Sequence, residues 1–406
     1  MTERSFSIPD RPFTRTAVAC QYFLYFGVMG IYLPYFNLYC YHLGFSGFDI
    51  GVLSALRSVA MVVFPMAWGA LADRTRGRRP IYILCNIASA AIWTLFLTTD
   101  AFGPMAVIIF LYGIFYAPII SFLEAISMET LGRERQSYGR IRLWGSIGFI
   151  TLVLAFGALI GVFSERVIII AIGVGSILLA MISVSVPRDR PSGAPLSVHG
   201  AKMLLRRRPA VFLACAFLML VSHGAYYGFF SIHLSTLGYT GTFIGVAWAL
   251  ASAAEIFAML YSEAIFKRFA LERVLLVSFA AAVLRWWVLG ASASAAIILL
   301  SQLLHAMTYG TFHMASILYI DRLAPAGAKN LGQALNNALT YGLGLMTGFF
   351  INGYLYGVTG SSGLFRVSSL IALAGGLGFA AFQVRGRPSD EGRGLNGRER
   401  NSRNGG

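Results

Sequence analysis

Six ionisable side chains lie deep within long apolar stretches of the sequence, and His223, His233 and His313 are further candidates. A charge at the centre of a bilayer costs at least about 2.5–3.5 kcal/mol on insertion scales, so a chain that keeps one uses it for pairing, for binding or for carrying protons. These residue types therefore indicate ion pairs that open and close, sites for an anion, and groups that exchange protons. The six are Arg57, Glu124, Arg142, Glu255, Arg285 and His305.

Glu124 and Arg142 are spaced symmetrically about residue 133, in a polar turn between two apolar runs. Nine residues at 1.5 Å per residue place each about 13 Å along its helix from that turn. We therefore expect the two side chains at matching depth on neighbouring antiparallel helices. One interpretation is a fixed ion pair that joins two helices. The other is a pair that switches, in which Arg142 binds a substrate carboxylate or hydroxyl and Glu124 is released or protonated.

Glu255 and Arg285 repeat this geometry later in the chain. Each is twelve residues from the basic end of its apolar run, at Lys267 and Arg273. That spacing corresponds to about 18 Å of helix, which is near the middle of a bilayer. His305 is similarly deep in the run that follows.

Glu255 is the predicted carrier of a coupled proton. Buried arginines stay protonated, and Glu124 has Arg142 beside it, so Glu255 remains by elimination. Arg285 would be its counter-charge and His305 a relay. A static Glu255–Arg285 ion pair is an alternative, as is a His305 that only hydrogen-bonds two helices.

Arg57 has no obvious acidic partner in the first half of the sequence. An unpaired positive charge in a membrane cavity suits an anionic substrate. The alternative is that its side chain extends to the end of its helix and reaches water.

Twelve apolar runs position these residues. Hydrophobic residues are 57% of the 406 and charged residues 12%, about half the charged fraction of a soluble domain. Each run approaches or exceeds the about 20 residues that cross a bilayer as a helix. The composition excludes a soluble enzyme and predicts an all-α membrane protein. The runs fall at about 14–40, 48–72, 81–99, 103–128, 139–161, 165–186, 210–236, 242–266, 272–290, 293–320, 331–356 and 362–384.

The basic residues predict the orientation. With both termini on one side, 27 of the 32 Lys and Arg fall on that side. Lys and Arg mark cytoplasmic loops, so we expect both ends in the cytoplasm and a multi-pass protein of the inner (plasma) membrane. The net charge of +15 then needs no nucleic-acid partner. The first apolar run lacks a cleavage site after it and is expected to remain as an anchor.

The two halves of the sequence are copies of one another. Residues 43–56 and 237–250 are offset by 194 and are identical at eight of fourteen positions, three of them glycines. Six runs lie in each half, so both copies keep one orientation, and such repeats place a substrate site at their interface. The predicted organisation is a cytoplasmic tail at 1–13, six-helix halves at 14–186 and 210–384, a cytoplasmic linker at 187–209 and a disordered tail at 385–406.

The loop after the second run carries a recognisable signature. Its sequence, GALADRTRGRR at 69–79, resembles the G-x-L-x-D-R-x-G-R-R motif of the major facilitator superfamily with one inserted residue. The second-half equivalent at 262–268 is degenerate. The resemblance implies twelve helices in two pseudo-symmetric halves that rock in alternating access. It also implies that the loop controls this motion through Gly69, Asp73, Arg74, Gly77 and Arg78.

A narrower resemblance covers nearly the whole chain. YGRIRLWGSIGF at 138–149, with Glu124 upstream, resembles the fifth-helix motif of lactose permease and its relatives. AYYGF at 225–229 and the neighbourhoods of Glu255, Arg285 and His305 are most similar to the bacterial phenylpropionate permease family. Helices one and seven line the cavity in this superfamily. The resemblance therefore implies a substrate site that contains Arg57, Glu124, Arg142, Trp144, Tyr226 and Tyr227.

One departure from the lactose-permease pattern concerns the tenth helix. Where those proteins carry a lysine, a histidine and a proton-carrying glutamate, this chain has Gln302, His305 and Thr308. A proton route of that kind lacks its central carboxylate here, which again leaves Glu255.

Motifs for other chemistry are absent from the sequence. There is no phosphate-binding GxxxxGK[ST] loop and no HExxH or Cys/His metal spacing, so we expect no cofactor, no metal, no catalytic residues and no enzyme activity. The predicted function is secondary transport by a functional monomer surrounded by lipid, with protons driving symport of a small aromatic or other planar carboxylic acid. A sugar or nucleoside symporter, an exporter, and a non-transporting membrane sensor remain as alternatives.

Overall fold

The computed structural model describes residues 12–75, 77–131, 134, 137–187, 206–324 and 328–385. Within these ranges the regular structure is helical throughout. Most of the predicted N-terminal tail, most of the predicted linker and nearly all of the C-terminal tail lie outside the described residues.

Six long helices form the first half. Their apolar side chains suit the hydrocarbon core of a bilayer. No water is available there, and a helix pairs its backbone N–H and C=O groups with one another. A 3₁₀ turn at Leu95–Leu97 extends the third helix. The helices are α1 (Pro12–His42), α2 (Gly47–Thr75), α3 (Arg78–Thr94), α4 (Phe102–Leu131), α5 (Tyr138–Ile160) and α6 (Arg166–Ser183).

The second half contains two wider, π-helical segments. Ala306–Thr311 joins two α-helices into one crossing, and Asn337–Gly344 joins two more in the next crossing. Such segments often occur at functional sites. The α-helices are α7 (Arg207–Thr236), α8 (Gly241–Leu260), α9 (Ser262–Arg268), α10 (Leu271–Ala291), α11 (Ala295–Leu303), α12 (Phe312–Leu323), α13 (Lys329–Asn336) and α14 (Leu345–Arg385).

The last long helix turns back on itself. Eleven helices of the described chain are long and apolar enough to cross a bilayer, but the final one has 54 residues, or about 80 Å if it were continuous. Gly360 interrupts it with φ 63° and ψ −179°. Before the break Gly348 lies against Gly224 of α7, whereas after it Gly375 lies against Cys215, nearer the start of α7. The chain therefore crosses twice here, which gives the twelve crossings that the sequence predicts.

The internal repeat appears in the helix ends. Gly44 and Gly238, which are 194 residues apart, have φ values of 87° and 85°, the left-handed conformation that favours glycine after a helix. Two residues later, Ser46 Oγ accepts from the Asp49 amide at 3.2 Å and Thr240 Oγ1 from the Phe243 amide at 3.4 Å. These are matching N-caps. Both halves thus end one helix and begin the next in the same way.

Glycine contacts join the two halves at one end, which we call the closed end and which contains residues 43–46 and 237–240. A Cβ added at Gly51 of α2 would lie 2.6 Å from the Phe349 carbonyl oxygen, and one added at Gly157 of α5 would lie 2.6 Å from that of Gly241. Asn37 also donates across the halves to the Gly228 carbonyl oxygen at 3.0 Å. Small residues let helix backbones approach this closely.

Ion pairs mark the opposite end, where α2 leads into α3. Five of them involve described residues, and each joins two residues of the same half. None of the five therefore holds the halves together. They are Arg15–Glu134, Arg78–Glu129, Lys267–Glu263, Arg322–Glu272 and Lys329–Asp321.

Candidate functional site

Arg285 of α10 is fully buried and is held by neutral groups. Its Nη1 donates to Thr308 Oγ1 at 3.1 Å and lies 2.8 Å from His305 Nδ1, while Nη2 donates to Gln302 Oε1 at 2.8 Å. A guanidinium can only donate, so His305 Nδ1 must accept. In the neutral imidazole the hydrogen is therefore on Nε2.

Glu255 of α8 faces that Nε2. Its Oε2 is 3.7 Å away, and the Glu255 side chain remains 23% exposed. His305 thus stands between the carboxylate and Arg285. The described residues include no direct Glu255–Arg285 ion pair, which was one of the alternatives left open by the sequence.

Aromatic rings complete the Arg285 site. The guanidinium carbon lies 4.2 Å from the centroid of Tyr226 and 4.8 Å from that of Trp286, and these contacts stabilise a buried cation. Tyr226 Oη also donates to Gln302 Oε1 at 3.3 Å. Tyr226 is therefore occupied in holding Arg285, whereas Tyr227 is half-buried and lies beside Tyr309 at 6.0 Å between ring centroids.

Sequence reasoning treated Gln302 and Thr308 only as departures from a family pattern. The structure makes both of them ligands of Arg285. Their spacing with His305, at 302, 305 and 308, follows one face of a helix and was the available signal. What the spacing could not give is the rotation of that face toward α10.

Arg142 of α5 is within electrostatic range of two carboxylates. Its guanidinium carbon is 3.8 Å from the centroid of the Phe26 ring. Its charge acts electrostatically on Glu124 of its own half and on Glu255 of the other half. Glu124 is exposed, and among the described residues it forms no ion pair within 4 Å with Arg142. The structure therefore adds Glu255 as a neighbour of Arg142, which the sequence did not suggest.

Arg57 of α2 is half-buried among aromatic rings. Its Nη2 is 3.0 Å from Met29 Sδ, and its guanidinium carbon is 4.3 Å from the centroid of Tyr32. Tyr25 and Tyr116 stack nearby at 5.0 Å and 10°. No acidic side chain among the described residues pairs with Arg57, so its charge is available to an anion.

Trp144 lies away from these groups. It is 49% exposed and shares an exposed stripe of α5 with Ile147 and Leu154, whereas Arg142 faces Phe26 of α1. The structure does not bring Trp144 and Arg142 onto one face.

The loop between α2 and α3 lies at the end opposite the closed end. Asp73 and Arg74 are exposed, and Asp73 has no ion pair with any described residue. Arg78 Nη1 donates to Glu129 Oε1 of α4 at 2.6 Å, a partner 51 residues away that the sequence did not indicate. Gly69 has open space around its Cα, and Gly77 precedes α3 in an extended conformation. The loop is thus anchored within the first half.

Known proteins resemble this chain over most of its length. The probable 3-phenylpropionic acid transporter of Escherichia coli (strain K12) is 30% identical over 370 residues, 88% of this chain and 94% of that protein. The maltose permease of Geobacillus stearothermophilus is 26% identical, with 84% and 87% covered. A crystal structure of the nucleoside transporter NupG superposes with a TM-score of 0.83 at 17% identity, covering 91% of this chain and 99% of that one. That similarity confirms the fold.

The family model described as MFS_1 like family matches residues 16–367. This match and the relatives confirm the resemblance drawn from the signature loop and the fifth-helix motif. They also agree with the expectation that the chain is not an enzyme, since these proteins are transporters of small molecules. The chain therefore belongs to the MFS_1-like family, and it is a multi-pass membrane transporter of the major facilitator superfamily.

Proposed function

We propose that this protein couples the import of a small aromatic or other planar carboxylic acid to the movement of protons. The observation that carries the proposal is Arg57, an accessible cation beside Tyr32 with no acidic partner among the described residues. A carboxylate would supply the missing charge through two parallel hydrogen bonds to the guanidinium. The name of the Escherichia coli relative, a probable 3-phenylpropionic acid transporter, supports the same substrate class.

The aromatic rings around Arg57 suit a planar substrate. Tyr25, Tyr116 and Tyr112 form a stacked series, with centroids 5.0 Å and 4.8 Å apart. Offset stacking on such rings favours an aryl group over an aliphatic one. Arg142 is the second cation within the proposed site and would contact a polar group at the other end of the substrate.

Glu255 carries the coupled proton in this proposal. It lies at the interface of the halves, where Arg142 acts on it from one side and the His305 Nε2–H points to it from the other. When ionised, Glu255 is stabilised by that donor and, through His305, by Arg285. When protonated, it lets the cavity close without trapping an unpaired carboxylate in a medium where charge is costly.

The moving units are the halves at 14–186 and 210–384, joined by the linker at 187–209. Lys and Arg crowd the end opposite the closed end, so that end is cytoplasmic in the proposed orientation, and both termini lie there. The described conformation is then the one that opens to the cytoplasm. The proposed setting is the inner (plasma) membrane, where a monomer surrounded by lipid performs the cycle.

A nucleoside or sugar symporter is the second candidate. The exposed carboxylate of Glu124 can accept hydrogen bonds from hydroxyl groups, a role that an anionic substrate would not use. Relatives named as maltose permease and putative nucleoside transporter fit this candidate.

Uptake into proteoliposomes with an imposed pH gradient tests both candidates. The panel contains 3-phenylpropionate, a nucleoside and maltose, each measured with the gradient intact and collapsed by an ionophore. We expect gradient-dependent accumulation of the aryl carboxylate only. Accumulation of the nucleoside or maltose instead would establish the second candidate, and uptake unaffected by the ionophore would contradict proton coupling.

A further inference from the structure

Three rings stack along the tenth crossing. His305 and Tyr309 are 5.4 Å apart between ring centroids and inclined by 13°, and Tyr309 and His313 are 6.0 Å apart and inclined by 7°. His313 Nδ1 then lies 2.6 Å from the Tyr341 hydroxyl, on the next crossing. We call Tyr309, His313 and Tyr341 the ring column.

The π-helical segment Ala306–Thr311 creates this alignment. In an α-helix, residues four apart are rotated by about 40° from one another, so rings eight residues apart diverge. A wider turn between His305 and His313 offsets that rotation. Tyr341 lies in the other π-helical segment, Asn337–Gly344, so the column stands where two such segments face each other.

Glu255 lies next to the ring column. Glu255 packs on the π-helical segment, since a Cβ added at Gly310 would lie 3.4 Å from its Cγ. Tyr309 and Tyr341 both lie within electrostatic range of this carboxylate. His305 and His313 are eight residues apart, so the stacked rings span about 12 Å of helix at 1.5 Å per residue. They extend toward the end opposite the closed end.

His305 itself is unsuited to pass a proton on. Its Nδ1 is occupied by the Arg285 guanidinium at 2.8 Å, and its Nε2–H already points to Glu255. To accept a proton at Nδ1, His305 would have to lose its hydrogen bond from Arg285, because a guanidinium donates but cannot accept. His305 is therefore a fixed donor that positions the Glu255 carboxylate, and another route must take the proton away.

We propose that the ring column carries the proton from Glu255 to the open end of the cavity, with His313 as its acceptor. This inference rests on the proposed proton coupling. The Glu255 carboxyl gives up its proton to the Tyr309 hydroxyl as that hydroxyl releases its own toward His313, directly or through one water. The His313 imidazolium then loses a proton to the solvent. Only O–H and N–H bonds change, and one proton leaves for each that enters.

The groups that face the column are compatible with this route. His223 lies 6.2 Å from Tyr309 between ring centroids, but its Nδ1 bonds the Met219 carbonyl oxygen at 2.8 Å. Tyr227 lies 6.0 Å from Tyr309 and is half-buried. Tyr309, His313 and Tyr341 are each half-buried as well, so each of them keeps some accessible surface.

The test compares His313→Gln with Glu255→Gln in proteoliposomes. Glutamine can still hydrogen-bond Tyr341 but takes no proton. We expect His313→Gln to slow pH-driven uptake of 3-phenylpropionate by at least about tenfold, equivalent to ~1.4 kcal/mol of barrier. Exchange between equal concentrations should stay close to wild type, and the final accumulation ratio should be reached, only later. Added imidazole should restore the rate in His313→Ala, because a small base can enter the open cavity.

A second pair of variants covers the case in which His313→Gln does not fold. Tyr309→Phe keeps the ring stack and removes the hydroxyl, so uphill uptake should slow while exchange persists. Tyr354→Phe is the matched control, because this tyrosine is 70% exposed and lies outside the column.

The outcomes separate the inference from the proposed function. If the pH gradient does not drive wild-type uptake, both fail. If it does and Glu255→Gln abolishes accumulation while His313→Gln and Tyr309→Phe keep the wild-type rate, the column alone is wrong. Parallel loss of exchange and uphill uptake in both column variants, without imidazole rescue, would show that the rings only support packing.

Discussion

At the scale of single residues, the buried charges are separated from one another by neutral groups. Arg285 touches Gln302, Thr308 and a neutral His305, and that imidazole separates Arg285 from Glu255. A direct ion pair in this setting would be hard to open, because breaking it leaves an uncompensated charge. In the proposed cycle, the intervening imidazole would let Glu255 change protonation state while Arg285 keeps its ligands.

This arrangement predicts the behaviour of Glu255→Gln. The amide imitates the protonated carboxyl permanently, so substrate exchange between equal concentrations should persist while accumulation driven by a pH gradient is lost. Glu263→Gln is the control, since Glu263 pairs with Lys267 on the exposed end of the same half. If Glu255→Gln still concentrates substrate, the proton travels elsewhere.

Arg142 yields a second prediction. Its flat guanidinium rests on Phe26 and its charge reaches carboxylates of both halves, which a lysine cannot reproduce. Arg142→Lys should lower transport by at least about tenfold, or ~1.4 kcal/mol, with membrane expression intact. The exposed Arg140→Lys, two residues away, should transport normally. Normal uptake by Arg142→Lys would remove this residue from the site.

At the scale of helices, the reversal at Gly360 is a single-residue event. Its φ of 63° and ψ of −179° belong to a region that is essentially limited to glycine, and other residues are destabilised there by about 1–3 kcal/mol. Gly360→Ala should lower the unfolding temperature in detergent, whereas Gly357→Ala, with open space in the same helix, should not. Equal unfolding temperatures for the two variants would contradict a strained turn.

Sequence reasoning succeeded for the helices because the signals are local. Apolar length predicts a crossing, and the matching residues at 43–56 and 237–250 predict that the two halves share one architecture. It could not give the partners of Arg78 or Arg285, since Glu129, Gln302 and Thr308 meet them only once each helix has a defined rotation. The π-helical segments change that rotation within a crossing, and the hydropathy of the sequence does not predict where they occur.

At the scale of the whole molecule, the signature loop at 69–79 allows the conformational cycle to be tested. Asp73 is exposed and has no ion pair with the described residues in this conformation, so any partner it gains belongs to another state of the cycle. Asp73→Asn should therefore slow transport severalfold while the equilibrium affinity for substrate changes little. Binding titrations and exchange kinetics on the same preparation measure both quantities. A large loss of affinity with unchanged exchange would place Asp73 in the binding site.

The closed end gives the complementary test. Gly157→Val puts a side chain where a Cβ would already lie 2.6 Å from the Gly241 carbonyl oxygen, whereas Gly161→Val meets only its own helix at 3.7 Å. The first should shift the population toward the state that is open at this end. Spin labels at the exposed positions 162 and 358, with Cys20 replaced by serine, should report a longer distance in Gly157→Val alone. An unchanged distance would mean that the glycine contact does not control closure.

The contacts between the halves at the closed end also lead to an expectation about how the transporter responds to the salinity of its surroundings. His42, which pairs with Glu165, contacts Ser235 of the other half. The other described contacts between the halves there, such as the hydrogen bond from Asn37 to the Gly228 carbonyl oxygen, are close approaches and hydrogen bonds of neutral groups. Dissolved ions screen charges over about 10 Å at 0.1 M but do little to such contacts. Salt should therefore weaken the closed end little, whereas it should weaken any ion pair that Asp73 gains in the other state of the cycle.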